Sequence, residues 1–319
     1  MSNVRRALVT GGAGFVGSHL CEHLLSEGLD VVCVDNFCTG REENLRQALK
    51  SPCFQLVTAD VTELPAIEGP LDWVFHLASP ASPADYHRLP LETLRTGSRG
   101  TENVLICAVE KQARFLLAST SEVYGDPLQH PQREDYFGNV DPIGPRAVYD
   151  EAKRYAEAAT MAYQRSRGAN TTIARIFNTY GPRMRELDGR VVPTFISQAL
   201  AGMPFTINGS GTQTRSLCYV TDLVAGLVAL MASDTPGPVN LGNPYELTVL
   251  EIAKRIAAAA GTAPEVVHRP LPVGDPLVRQ PDIGRARKLL GWTPEVPVDE
   301  GLRLTVEWYR TRESVLLAD

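Results

Sequence analysis

The chain has 319 residues, long enough for one large domain with a second lobe, and its 44% hydrophobic and 21% charged content excludes a disordered or low-complexity protein. A formal net charge of -6 argues against a dedicated nucleic-acid binder, whose surface needs a basic excess. The six cysteines (21, 33, 38, 53, 107 and 218) form no CxxC pair, no apolar run is long enough to span a bilayer, and no cleavable signal precedes the first strand, so the expectation is a cytoplasmic protein with no metal and no membrane partner.

Ala7-Leu8-Val9, the glycines after it and an amphipathic stretch through Leu25 read as strand, tight turn and helix. Val31 to Val34 is the next buried strand, completing a βαβ unit. Short apolar runs at 54–58, 73–77, 115–118 and 172–176 alternate with helical patterns, which predicts an α/β fold: a Rossmann-type doubly wound parallel sheet. The pattern weakens after Gly181. Helices are expected over 193–200, 222–231 and 250–260, with a short strand at 205–207. Prolines at 264, 270, 272, 276, 281, 294 and 297 predict mostly loops in the last third, closed by one helix near 302–309. Val239 to Gly242 reads as a strand returning to the main sheet. The expected division is therefore a dinucleotide-binding domain over 1–180, with returning segments from about 217–248, and a smaller, interleaved substrate-binding lobe over 181–319.

Gly11, Gly14 and Gly17 form GxxGxxG between the first strand and helix, where glycine permits the turn, close approach to a pyrophosphate and helix-on-strand packing. Phe15 and Val16 share that turn, and the helix amides face the phosphates. Asp35 ends the second strand where a carboxylate accepts both adenosine ribose hydroxyls and repels a 2′-phosphate, which favours NAD over NADP; Arg41 nearby leaves a phosphate-binding reading open. Asn36, Thr39 and Gly40 follow. Asp60 and Val61 stand where an adenine amino group would lie, although Asp60 could equally cap the next turn. Leu77, Ala78, Ser79 and Thr96 complete the cofactor set.

Tyr149 and Lys153 lie four apart, on one face of a helix, where an ammonium would pull the phenol down from its ordinary value near 10 and make it a usable base. Ser119-Thr120-Ser121-Glu122 ends a strand upstream. With the dinucleotide motif, this arrangement resembles the extended short-chain dehydrogenase/reductase superfamily over essentially the whole chain.

Within that superfamily the chain is most similar to the UDP-glucuronic acid decarboxylase family, through Ala78 to Pro83, Pro142 to Arg146, Ala174 to Arg183, Asp188 to Val192 and Arg279 to Asp282. Two departures are Cys38, where an aromatic residue is usual, and Gly97, where Asn is common. The resemblance implies oxidation at C4 of UDP-glucuronic acid, with Tyr149 taking the hydroxyl proton beside Thr120 and Lys153 while hydride passes to NAD. It further implies loss of carbon dioxide from the β-keto acid and return of hydride, giving UDP-xylose. It places Glu122 and Arg279 at the carboxylate end without dividing their roles, with Ser121 assisting. Asn178, Arg190, Arg215 and Tyr86 are the substrate-side candidates, two guanidiniums suiting a pyrophosphate. Arg183 is assigned either to the cofactor phosphates or to a structural salt bridge. The resemblance also implies a homodimer through helices around 91–109 and 149–165. Three alternatives stay open: a UDP-uronic acid 4-epimerase, a decarboxylase that releases the UDP-4-keto-pentose, and a non-catalytic NAD-binding sensor.

Overall fold

The computed structural model describes residues 5–271 and 277–316, so Pro272 and Pro276 of the proline-rich stretch lie outside the described residues. The first half alternates regularly: β1 (Arg6–Thr10), α1 (Phe15–Ser26), β2 (Asp30–Asp35), β3 (Phe54–Thr58), β4 (Trp73–His76), α2 (Pro83–Arg88), α3 (Pro90–Arg95), α4 (Thr101–Glu110), β5 (Arg114–Thr120), α5 (Ala147–Arg167) and β6 (Thr171–Ile176). There follow β7 (Thr179–Tyr180), α6 (Val191–Leu200), β8 (Phe205–Asn208), β9 (Thr214–Ser216), β10 (Cys218–Tyr219), α7 (Val220–Ala232) and β11 (Val239–Leu241). The chain ends with β12 (Glu246–Thr248), α8 (Val249–Ala260), β13 (Val266–Arg269), α9 (Gly284–Leu290) and α10 (Val298–Leu316).

Seven strands form one sheet in the order β11-β6-β5-β4-β1-β2-β3, every neighbour parallel. The expected doubly wound α/β sheet is therefore present. A parallel sheet needs cover on both faces, and the side chains of β1 show how it is obtained. Ala7 and Val9 bury into a cluster with Leu20 and Leu24 of α1, while Leu8 buries into a second cluster with Val104 and Leu105 of α4. Truncating Leu8, fully buried, would cost about 2–5 kcal/mol. The order reverses between β1 and β4, which opens a crevice beyond the carboxyl ends of those strands.

Beyond β6 the elements are shorter. Helices α6, α8 and α10 pack on one another, beside the parallel pair β8·β13 and the antiparallel pair β9·β12. A capping box between Thr248 and Glu251 starts α8, and Gly261 in the left-handed region ends it. The stretch read as loops holds β13 and α9, and the last helix runs well past 302–309 in both directions. All four residues of β13 are exposed, so it carried no buried-strand pattern; its pairing with β8 makes it a strand.

Candidate active site

The glycine turn shows why three glycines are required. Gly11 has φ +74°, and a Cβ there would come within 2.7 Å of the Ala78 amide nitrogen. A Cβ on Gly17 would lie 2.2 Å from the Gly11 carbonyl oxygen, so α1 could not seat against β1. Gly14 caps α1 without a side chain, leaving the first helical amides open to a deep cleft at the sheet's switch point. Phe15, Val16, Asn36, Thr39, Gly40, Val61, Leu77, Ala78, Ser79 and Thr96 all line that cleft.

The Asp35 carboxylate accepts from the amides of Ala13 (2.9 Å) and Phe37 (2.8 Å), which aims it across the cleft at the end of β2. Asp60 caps the next turn, its Oδ1 accepting from the Thr62 amide at 2.8 Å, and it also lines the cleft. Arg41 is engaged by Glu43 and Glu186, at 3.3 and 3.1 Å, and so is not held ready for a 2′-phosphate. Arg183 makes a structural salt bridge and also lines the cleft. Its Nη2 donates to both oxygens of Glu22, while Nη1 is buried without a partner on a cleft-lining residue. A glycine cradle, an uncapped helix N-terminus, an orphaned guanidinium nitrogen and a carboxylate at the far end fit a dinucleotide such as NAD.

Next to this cradle stands the acid/base group. Tyr149, in the first turn of α5, has its phenol beside the Thr120 hydroxyl at the end of β5. Burial pushes its phenol well above the ordinary value, and Glu122 adds to that; Arg190 and the Thr120 hydroxyl work the other way. Lys153 stands beside that phenol, its Nζ donating to the Ala118 carbonyl at 2.8 Å and lying 5.9 Å from the centre of the Tyr149 ring. Burial lowers Lys153 to about 8, with Glu157 opposing.

Glu122 follows in the short turn 121–124, begun by Thr120, whose Oγ1 accepts from the Glu122 amide at 3.2 Å. Arg146 donates to Glu122 Oε2 at 2.6 Å, and Arg279 Nη1 stands 3.7 Å from Oε1 while its Nη2 donates to the Gly125 carbonyl. Burial opposes the Glu122 charge, but the two guanidiniums and their hydrogen bonding outweigh it and keep the carboxyl below its usual range. Ser121, Asn178 and Arg190 line the cleft beside it, with Arg190 donating to the Ala81 carbonyl at 2.7 Å.

Three nominated residues lie behind the cleft surface. Tyr86 is fully buried, its ring stacked on Tyr149 with centroids 5.2 Å apart and planes at 8°, so it supports the phenol from behind and does not border the cleft. Arg279 backs Glu122. Arg215, on β9, donates to the Thr214 carbonyl and is close enough to Arg279 for their charges to interact. Arg146, Asp150 and the ion-paired Arg185 and Asp85 were not nominated. Arg146 and Asp150 fall inside motifs already singled out, but only folding brings them against Glu122.

Residues 7–242 match the model of the NAD dependent epimerase/dehydratase family. The chain is 52% identical over 306 residues to UDP-glucuronic acid decarboxylase 1 of Xenopus tropicalis, covering 96% of this chain and 72% of that protein. It is 50% identical over 311 residues to UDP-glucuronic acid decarboxylase 6 of Arabidopsis thaliana, covering 97% and 90%. Among solved structures, UDP-glucuronic acid 4-epimerase of Bacillus cereus in complex with UDP-glucuronic acid and NAD superposes with a TM-score of 0.86 at 26% identity, covering 96% of this chain and 99% of that one.

Proposed function

This chain belongs to the NAD dependent epimerase/dehydratase family, and from that premise we propose that it decarboxylates UDP-glucuronic acid to UDP-xylose with NAD as its recycled cofactor. The observation that carries this reading is the partly buried set of Glu122, Arg146 and Arg279 beside Thr120 and Tyr149. On this reading two guanidiniums and a carboxylate meet the end of the sugar where a C6 carboxylate must be held and released.

The glycine turn, Asp35 and Arg183 would hold NAD, which would supply a recyclable hydride acceptor for C4. The chain's own residues handle the protons. The base is the Tyr149 phenolate, formed when the phenol gives its own proton to solvent; it takes the C4 hydroxyl proton while Thr120, beside it, holds the same oxygen. Burial and Glu122 oppose that ionisation, and the field of Arg190 and the Thr120 hydroxyl favour it. A ketone at C4 makes the C6 carboxylate a β-keto acid. As its C5–C6 bond breaks, the electron pair moves onto the C4 oxygen, where the hydroxyls of Tyr149 and Thr120 stabilise the enolate. Glu122 and Arg279 then hold the donor, a side chain or a water, that protonates C5. Asn178 and Arg190, which line the cleft, take the nucleotide pyrophosphate, Arg215 stands near Arg279, and Tyr86 fixes the ring plane of Tyr149.

The same proposal assigns residues 1–180 and the returning segments to NAD, and most of 181–319 to the sugar nucleotide. A homodimer through α3, α4 and α5 is supported by the exposed Leu91, Leu94, Ile106 and Tyr155. Six free cysteines are consistent with a reducing, cytoplasmic setting. No helix among the described residues is long and apolar enough to cross a membrane. The test is turnover of UDP-glucuronic acid labelled with ¹³C at C6, followed by NMR. Labelled carbon dioxide with UDP-xylose is the expected result. An intact label with inverted C4 would assign the protein to the 4-epimerase chemistry of its structural neighbour, and free NADH with a keto-pentose would mean that hydride is not returned.

A further inference from the structure

Asp150 has no assigned role, yet its setting is unusual. It lies one residue past Tyr149, 5% exposed, with its carboxyl close against that of Glu122 and its Oδ1 buried without a hydrogen-bond partner. Two carboxyl groups can share a hydrogen bond only if one of them carries a proton, because two carboxylates in a buried site repel and neither can donate. An ionised oxygen buried with no donor would also carry the full desolvation cost of its charge, whereas the carbonyl oxygen of an acid pays far less. Between the two groups, Glu122 is the one held charged: Arg146 donates to it at 2.6 Å and Arg279 faces its other oxygen.

We propose that Asp150 carries a proton at neutral pH and donates it to Glu122, acting as a positioning residue that holds Glu122 as a carboxylate aimed at the carboxylate end of the substrate. Its catalytic consequence rests on the decarboxylase reading; its protonation does not. The groups that face Asp150 are Glu122 from the turn after β5, Arg146 from the segment before α5, Arg279 from the loop before α9, Tyr86 from α2 and Tyr149 on its own helix. The charged residues of α3, Glu92 and Arg95, are exposed. Burial, with Glu122 next, raises Asp150 to about 8, against the pull of Arg146 and Arg279. A carboxyl raised in this way is protonated below that value and loses its proton above it. The oriented Glu122 should thus be present on the acid side and lost as pH rises through the pair's apparent titration.

The test is infrared difference spectroscopy of the purified protein, stepped from about pH 6 to pH 10 to bracket the raised value. A protonated-carboxyl carbonyl band should disappear across the alkaline step in the wild type and be missing at every pH in Asp150→Asn. In kinetics, Asp150→Ala should lower kcat by at least ~10-fold with a smaller change in KM, which is the loss of one buried hydrogen bond to a charged group. Asp150→Asn, whose amide still donates to Glu122, should recover much of that kcat and lack the alkaline limb of the pH profile. Bound NAD content and circular dichroism check that each variant is folded. A band that persists unchanged in Asp150→Asn, or no such band in the wild type at neutral pH, overturns the proposal. Absence of decarboxylation with an intact band would instead overturn the functional reading and leave the protonated pair standing.

Discussion

Two glutamates hold arginines beneath the surface of this protein, at similar depth, and they are satisfied to different degrees. Glu157 of α5 receives Arg175 through two parallel bonds of 2.9 and 2.8 Å, and Ser119 donates to it at 2.6 Å. Arg175 spends its remaining Nη1 on the Tyr124 hydroxyl and the Glu134 carbonyl. Glu122 has one short bond from Arg146, a second guanidinium standing off at 3.7 Å, and neighbours with the unpartnered atoms Tyr86 Oη and Asp150 Oδ1. Side-chain exposure barely separates them, 14% for Glu157 and 15% for Glu122, so the difference lies in the partners. A closed network ties β5, α5 and β6 together, while the open one around Glu122 leaves two buried polar atoms without hydrogen-bond partners among the described residues.

The comparison can be broken by substitution, beginning with the largest effect. Tyr149→Phe, at the mouth of the open network, should reduce kcat by about 10²–10⁴ through loss of the proton acceptor, with the thermal midpoint little changed. Steady-state rates and calorimetry on the same preparation check this. Glu157→Ala should do the reverse: an Arg175 left buried without its carboxylate costs about 3–5 kcal/mol, read as a lower denaturant midpoint. If Glu122→Ala destabilised as much as Glu157→Ala, the distinction between the two networks would fail.

Smaller effects sharpen it. Gly97 stands where α5 meets the segment between α3 and α4, and a Cβ there would come within 2.7 Å of the Ala152 Cβ and 2.9 Å of its carbonyl oxygen. Gly97→Asn, the residue common in the family, should therefore cost about 1–3 kcal/mol by overpacking, and Ala152→Gly should recover part of it in a double-mutant cycle. Recovery would show that Gly97 is matched to Ala152 and that the seat of α5, which carries members of both networks, is set by packing. His76 supplies a satisfied but uncharged contrast, held between Thr10 Oγ1 at 2.8 Å and Thr101 Oγ1 at 3.1 Å. Burial, with Lys153 next, lowers it to about 3, so below its unfolded value of 6.5 only the unfolded chain takes up the proton. Stability should accordingly fall as pH drops from 6.5 toward 3, by about 1.4 kcal/mol per pH unit for this residue, and His76→Gln should flatten urea midpoints over that range by that amount. His19, lowered to about 4 mainly by burial, adds a slope of the same sign that the variant should retain.

What could be read from the sequence was whatever the chain concentrates in a short span. Gly11, Gly14 and Gly17, the carboxylate of Asp35 and the Tyr149–Lys153 spacing each express a local rule, and the buried strands announce themselves by apolar runs. Of the small paired strands of the second half, β8 did so through Phe205 and Ile207, but β9, β12 and β13 did not, because three or four residues with at most one buried side chain carry no periodic signal and their partners lie far along the chain. The electrostatics of the site were harder still. Proximity in sequence pairs Lys153 with Tyr149, but it does not show that the ammonium also donates to the Ala118 carbonyl or that the Tyr86 ring stacks on the phenol. Asp150 and Arg146 were in view from the start, but their meaning depends on Glu122, more than twenty residues away, and on Arg279 from the other end of the chain.

The most direct test of the account is to follow UDP-glucuronic acid, ¹³C-labelled at C6, through the wild-type protein and Glu122→Ala side by side. The account predicts labelled carbon dioxide and UDP-xylose from the wild type, and release slowed by about 100-fold or more in the variant with folding and NAD content retained. Equal release from both proteins, or a label that stays in the sugar, would contradict the claim that the open network around Glu122 is the decarboxylation site.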